Sequence, residues 1–216
     1  MKTQYKDSQY TLRIEQIEQL INATKNLRDK LIISSCYFPA LRRFEVAKMK
    51  VEDIDFERGR IIVTGKFNKI APIPVGAVYP QYMKDLQYYL QFIKRKSGYI
   101  FSNDGKKPID KSRINQIFLN TSTIAHLTHP NPKPIRRRNR ISKEIYEKHR
   151  KINPHLLRHS QARHLKDFNF SIEFIKNYMR HDSIQSTMDI YGTQSIDDME
   201  RYALEKRGIQ TNILIR

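Results

Sequence analysis

The stretch Asn153-Pro154-His155-Leu156-Leu157-Arg158-His159 opens a helix expected over about residues 155–168. Positions three apart on a helix share a face, so His155 and Arg158 project together. A guanidinium fork binds two nonbridging oxygens of a phosphate, and an imidazole beside it handles protons. A lone His-x-x-Arg pair also arises by chance as surface charge in a basic helix, so the rest of the chain has to decide between the two readings.

The balance of charge favours the phosphate. The chain has 216 residues with 40 Lys and Arg against 22 Asp and Glu, a formal net charge of +18. A field that positive implies a polyanionic partner, nucleic acid by default, against the blander reading of a generally basic surface. Residues 131–163 hold 11 Lys and Arg and only 2 Asp and Glu, a net +9 and half of the total. A DNA-facing segment has this composition, because each neutralised phosphate releases counterions; so does a solvated basic loop. Hydrophobic residues at 39% suffice for a packed core, in one domain of good size or two small ones. The single cysteine, Cys36, excludes an internal disulfide framework and a Cys-based zinc site. The start, Met1-Lys2-Thr3-Gln4, is too polar for a secretory signal, and no apolar run approaches the roughly 20 residues of a membrane span. A reducing, intracellular compartment and no membrane partner are therefore expected.

Upstream of His155 the hydrophobic period changes twice. Leu12, Ile14, Ile17, Leu20 and Ile21 have helix spacing, with Thr11 as the expected cap. A second helix is expected over about 25–37, ended by Pro39, and a third from near Leu41 to about Lys50. Asp53-Ile54-Asp55-Phe56 then alternates, Arg60-Ile61-Ile62-Val63-Thr64 is rich in β-branched residues, and Lys69-Ile70-Ala71-Pro72-Ile73-Pro74-Val75 alternates with prolines that suit an edge strand. With turn-like separators at 57–59 and 65–68, these predict a small antiparallel sheet over 52–75. The remaining helices are expected at about 77–96, 111–124, 142–150, 155–168, 171–180 and 194–206, and 126–140 reads as an extended basic loop. The fold class is α+β, mainly α, with one three-stranded antiparallel sheet. No internal repeat, heptad run or nucleotide-binding Gly-rich loop is present.

In that setting His155-Leu-Leu-Arg158-His159 resembles box II of the tyrosine recombinases, the phage integrase family, and the likeness extends to other positions. Ala40-Leu41-Arg42-Arg43-Phe44-Glu45 resembles box I, Gly-Leu-Arg-x-x-Glu. Gly65-Lys66-Phe67-Asn68-Lys69 resembles the β-hairpin lysine turn, and Arg180-His181 stands where the family has Gly-His. Ser186-Thr187-Met188-Asp189-Ile190-Tyr191-Gly192 resembles the context of the nucleophilic tyrosine. Each motif alone is weak; their joint order over roughly residues 10–205 is specific.

The resemblance implies a role for each residue. Arg42 and Arg158 are the phosphate clamps, with Arg43 the rival to Arg42 until the Leu-Arg-x-x-Glu frame selects the latter. Arginine suits both places because its planar fork holds two oxygens in fixed geometry. Glu45 either orients Arg42 or makes a surface ion pair with it. Lys66 protonates the leaving 5′-oxygen, with Lys69 its local rival. His155 moves a proton or binds the phosphate, and His181 binds a phosphate oxygen unless it is only a charge at a helix end. His159 and His164 are read as structural. Tyr191, one of 12 tyrosines, is the nucleophile. It would form a 3′-phosphotyrosine link and release a 5′-hydroxyl, so that no ATP is needed. The resemblance implies no metal or cofactor. It implies double-stranded DNA as partner and a homo-tetramer on DNA, with a monomer in solution.

Several features depart from the family. A single catalytic domain over 1–216 is expected, without the usual N-terminal core-binding domain. Arg180 replaces the family glycine, where its charge either reaches phosphate or alters how His181 is presented. The basic segment at about 125–152 is long, and Arg136, Arg137, Arg138 and Arg140 are candidate backbone contacts, alongside Arg43, Lys69 and Arg180. The tail at 207–216 is apolar for an exposed end, fit either for exchange between protomers or for packing on its own domain. Two other functions share these residues: a type IB topoisomerase, and a non-catalytic DNA-binding protein on the same scaffold.

Overall fold

Helix α2 (Leu27–Tyr37) is the axis on which the other helices close. Every residue from Leu31 to Tyr37 is buried, serines and Cys36 included. A helix covered all round needs no apolar stripe, which is why this one lacks the helix-period pattern of its neighbours. The computed structural model describes residues 11–64, 70–130, 151–180, 200, 203 and 204. Packed on α2 are α1 (Ile14–Asn22), α3 (Arg43–Lys48), α5 (Pro80–Phe92), α6 (Lys111–Ile124) and α7 (Pro154–Asp167). Helix α8 (Ile172–Met179) packs against α7. Several buried polar groups on and around this axis are paired, although the Ser34 hydroxyl is not. The Ser35 hydroxyl lies 2.7 Å from that of Tyr82, the Tyr37 hydroxyl 2.7 Å from Nδ1 of His164, and the Tyr178 hydroxyl donates to the Phe38 carbonyl at 2.9 Å.

The three strands, β1 (Ile54–Asp55), β2 (Arg60–Thr64) and β3 (Ile70–Ile73), form one antiparallel sheet in chain order. Ile61 and Val63 of β2 face the core while Ile62 and Thr64 face out, the alternation of a sheet covered on one side. Pro72 sits on β3, at the sheet edge, where a missing N–H costs no ladder bond. Thr64 pairs with Ile70, and residues 65–69 between them, Lys66 and Lys69 included, lie outside the described residues.

Local chemistry moved some expected boundaries. Helix α1 is capped at Arg13, not Thr11, because the Gln16 side chain reaches back to accept from the Arg13 N–H at 2.9 Å. The third helix stops at Lys48, and a 3-10 turn at Val51–Asp53 follows, with the Asp53 carboxylate accepting from the Lys50 N–H. The helix expected over 77–96 is two helices, α4 (Val75–Val78) and α5. Tyr79 between them precedes Pro80, and the residue before a proline is kept out of the helical region. Past the segment that contains Tyr191, Glu200 forms a two-point ion pair with Arg60 of β2, and Ala203 is fully buried. The expected helices at 142–150 and, apart from helical residues 200, 203 and 204, at 194–206 lie outside the described residues. Among the described residues no helix is long and apolar enough to cross a membrane.

Candidate active site

The start of α7 fixes the first pair of functional side chains. Asn153 caps the helix, its side chain accepting from the Leu156 N–H at 3.0 Å, and Pro154 occupies the first turn, where it costs no hydrogen bond. His155 follows, exposed in that first turn. Leu156 and Leu157 point into the core and carry Arg158 down with them, so that Arg158 is only 4% exposed. Its two terminal nitrogens donate to backbone carbonyls, Nη1 to Ala40 and Nη2 to Met179. A guanidinium has five donors, so a fork anchored in this way keeps N–H groups for another oxygen.

Arg42 comes to the same place from the other side. It is the extended residue ahead of α3, and Glu45, one turn later, closes back on it. The Glu45 carboxylate accepts from the Arg42 backbone N–H at 2.6 Å and from Arg42 Nη1 at 2.9 Å. Glu45 is no surface residue: its side chain is 1% exposed while that of Arg42 is 32% exposed. Of the two roles open to it in the sequence, the buried carboxylate has the geometry of an orienting group. Arg43, the next residue, is exposed.

Arg180 completes the cluster in a way that charge alone did not suggest. It caps α8 in the left-handed conformation, φ 53° and ψ 51°, a place that favours glycine. Its side chain turns inward: Nη2 donates to Glu45 at 2.8 Å and to the Ala40 carbonyl at 3.2 Å, and Nη1 to the Tyr178 carbonyl at 3.0 Å. The Arg180 backbone carbonyl accepts from Arg42 Nη2 at 3.0 Å. The expectation that Arg180 reaches out to phosphate is corrected by this placement, because both its terminal nitrogens donate to protein acceptors and its side chain is nearly buried. Ala40, at the box I glycine position, is also left-handed, φ 50°, which turns its carbonyl toward both Arg158 and Arg180.

Three guanidiniums thus gather near one buried carboxylate, with Arg42 and Arg180 paired directly to it. Burial pushes the Arg158 pKa down to about 9, helped by the positive charges of Arg180 and Arg42, while Glu45 opposes the shift. Burial lowers that of Arg180 as well. Positive charge that is desolvated and only partly compensated attracts an anion.

That charge opens into a cleft of about 730 Å³ lined by Arg42, Arg43, His155 and Arg158, with Asn115 and Lys151 among the other walls. Four of the sequence-selected residues therefore meet on one surface. Lys66, Lys69, His181, Tyr191, Arg136, Arg137, Arg138 and Arg140 lie outside the described residues. Lys151 and Asn115 were missed by sequence reasoning. Lys151 lies in the basic segment and could have been found there, whereas Asn115, on α6, had no signal. The sequence reading of His164 as structural matches a buried imidazole bonded to Tyr37, whereas His159 is exposed. Among the described residues no three carboxylate, imidazole or thiol groups gather as metal ligands would.

The model of the phage integrase family matches residues 10–196, most of the chain. The chain belongs to the phage integrase family. Among integrase-family relatives, the tyrosine recombinase XerA of Pyrococcus horikoshii is 28% identical over 205 residues, covering 94% of this chain and 63% of that protein. The chain thus spans under two thirds of the length of that relative. A crystal structure of XerA recombinase superposes with a TM-score of 0.62 at 21% identity, over 91% of this chain and 65% of that one. The XerH site-specific recombinase, in a pre-cleavage complex with its difH substrate, superposes with a TM-score of 0.56 at 16% identity, over 89% and 49%. In this integrase-family fold the helices bring box I and box II, more than a hundred positions apart, onto one cleft.

Proposed function

We propose that this chain is the catalytic domain, over residues 1–216, of a site-specific DNA recombinase that breaks and rejoins double-stranded DNA through a 3′-phosphotyrosine link. The observation that carries the proposal is the convergence of Arg42, Arg158 and His155 on one basic cleft, the first delivered ahead of α3 and the other two by the start of α7. Arg42 and Arg158 hold the nonbridging oxygens of the scissile phosphate and stabilise the charge that builds on them in the transition state. A tyrosine hydroxyl has a pKa of about 10 and is a poor nucleophile unaided. The Tyr191 oxygen bonds to phosphorus as its proton is taken up, with His155 as the acceptor. The bond from phosphorus to the 5′-oxygen breaks, and Lys66 gives that oxygen a proton. The products are a phosphotyrosine on the 3′ end and a free 5′-hydroxyl. His181 binds a phosphate oxygen during the same step.

Attack by the 5′-hydroxyl of a second duplex reverses these events, and the phosphodiester energy is kept in the covalent link, so neither ATP nor a metal is required. Exchange between two duplexes takes four active sites, which fits a tetramer on DNA. The +9 segment, with Arg136, Arg137, Arg138 and Arg140, supplies backbone contacts, as do Arg43 and Lys69.

The test uses a library of random-sequence duplexes in which one bridging 5′-oxygen is replaced by sulfur, so that cleavage cannot be reversed and no recognition sequence has to be known. The wild-type chain is expected to form a covalent adduct and Tyr191→Phe none. Lys66→Ala is expected to cut the sulfur substrate but not ordinary DNA, since a thiolate leaves without protonation. Failure of the wild type to form any adduct overturns the proposal in favour of a DNA-binding scaffold. Adduct formation with supercoil relaxation and no strand exchange overturns it in favour of a topoisomerase.

A further inference from the structure

Arg180 occupies a position where its backbone is costly and its charge is crowded. A left-handed backbone is strained for a residue with a side chain, and Arg180 adopts that conformation beside two other guanidiniums. What the side chain does there offsets both costs. It is the more buried of the two counterions of Glu45, at 9% exposed against 32% for Arg42. Glu45 offers two oxygens. Oε2 is taken by Arg180 and by the Arg42 backbone N–H, and Oε1 accepts Arg42 Nη1. With Oε2 occupied, Arg42 binds the carboxylate through one terminal nitrogen, and its other terminal nitrogen rests on the Arg180 carbonyl. The Arg42 fork is thereby held at the mouth of the cleft, partly in solvent, instead of closing on Glu45 in the two-point geometry that an arginine and a carboxylate otherwise prefer.

The same side chain reaches the second clamp. Arg180 Nη2 donates to the Ala40 carbonyl, and that carbonyl also anchors Arg158 Nη1. Backbone at Arg180 and Met179 supplies one acceptor to each clamp, Arg180 O to Arg42 and Met179 O to Arg158.

We propose that Arg180 is a positioning residue which, by occupying Glu45 and the Ala40 carbonyl, keeps the Arg42 and Arg158 forks apart and open to a phosphodiester. It touches no reacting atom, and a glycine at this position lacks a side chain to do the same. The inference rests on the proposed recombinase reading for its consequence in catalysis, but its structural half concerns the free protein.

The test follows that division. In the free chain, Arg42 is expected to react with phenylglyoxal, read by peptide mass spectrometry. In Arg180→Met, Glu45 closes on Arg42 and the rate of Arg42 modification falls; in Arg180→Lys, which keeps one donor to Glu45, it recovers in part. Equal Arg42 reactivity in all three proteins overturns the proposal, whether or not the chain cuts DNA.

On the sulfur-substituted duplex library, Arg180→Met is expected to slow adduct formation at saturating protein by at least ~10-fold, the scale of a misplaced clamp, with duplex affinity within about twofold of wild type because the many backbone contacts persist. The pair with Glu45→Gln identifies the route. Arg180→Met in the Glu45→Gln background is expected to slow the reaction little further. Independent, multiplying effects mean that Arg180 does not act through Glu45 and overturn the proposal. Thermal melts accompany each variant; should Arg180→Met fail to fold, Arg180→Lys carries the comparison, an intermediate rate supporting the proposal and a wild-type rate together with wild-type Arg42 reactivity overturning it. No adduct from the wild type counts against the recombinase reading and leaves the phenylglyoxal result to decide this one.

Discussion

Replacing Glu45 by alanine strikes the one carboxylate that three arginines surround, and its cost can be worked from the contacts. The substitution deletes hydrogen bonds from the Arg42 N–H at 2.6 Å, Arg42 Nη1 at 2.9 Å and Arg180 Nη2 at 2.8 Å. Hydrogen bonds to a charged group contribute about 1.5–3 kcal/mol each, but the three do not count equally. Arg42 is one-third exposed and turns to water, so its share is recovered in part. Arg180 is nearly buried and has no such escape. Removing one partner of a buried pair costs about 3–5 kcal/mol, because the other charge is stranded. Repulsion among Arg42, Arg158 and Arg180, no longer screened by Glu45, keeps the total in the upper half of that range. Glu45→Ala should therefore destabilise the domain by about 4 kcal/mol, and at roughly 2–4 °C per kcal/mol for a chain of this size the melting temperature should fall by about 8–16 °C. Urea titration and thermal scans measure both quantities. Arg180→Met in the Glu45→Ala background should restore much of the loss, since the stranded charge is then gone. A loss under about 1 kcal/mol, the size of an exposed pair, or a double variant as unstable as the sum of the singles, would refute the reasoning.

Three further outcomes are expected. Burial holds the His164 imidazole below its ordinary pKa while Tyr37 binds Nδ1. Below about pH 6.5 the unfolded chain takes up a proton that the native state refuses, so stability should fall on acidification, by at most about 1.4 kcal/mol per pH unit from this group. His164→Gln should flatten that dependence between pH 7 and 5, and an unchanged slope would contradict the assignment. Arg60→Glu breaks the ion pair with Glu200 and should speed amide exchange around residues 200–204 by at least ~10-fold, equivalent to about 1.4 kcal/mol of opening free energy; the reversed pair Arg60→Glu with Glu200→Arg should restore protection, and failure to do so would mean the pair is incidental. Neutralising Arg136, Arg137, Arg138 and Arg140 together should flatten the plot of log affinity for duplex DNA against log salt by about 0.9 per lost phosphate contact, and an unchanged slope would remove them from the interface.

What could be read from the sequence was whatever has a period or a motif. The sheet was visible because Arg60–Thr64 is rich in β-branched residues and the segments at 53–56 and 69–75 alternate, and α6 because its apolar positions keep helix spacing between Asp110 and Ala125. Helix α2 was placed from its leucines and isoleucines, but nothing in its sequence shows that its serines and Cys36 are covered; the neighbours that cover them come from distant parts of the chain. The split at Pro80 was missed because the apolar spacing runs on across it, although the proline rule alone would have found it. At the site, Arg42, His155 and Arg158 could be selected by motif order. Their partners could not, because the acceptors for Arg158 are backbone carbonyls of Ala40 and Met179, which carry no side-chain signature. Arg180 was noticed as a departure from glycine, and its charge suggested an outward reach. The inward turn follows from a buried carboxylate that needed a second partner, and the burial of Glu45 is a tertiary fact with no local trace.

The central claim is that Tyr191 attacks DNA. The direct measurement is mass spectrometry of the peptide cross-linked to the sulfur-substituted duplex after exhaustive nuclease and protease digestion. The account predicts one nucleotide-bearing residue, Tyr191, joined through its phenolic oxygen to a 3′-phosphate. A nucleotide on Tyr178, on Tyr202 or on any residue other than Tyr191, or an adduct that persists in Tyr191→Phe, would contradict it.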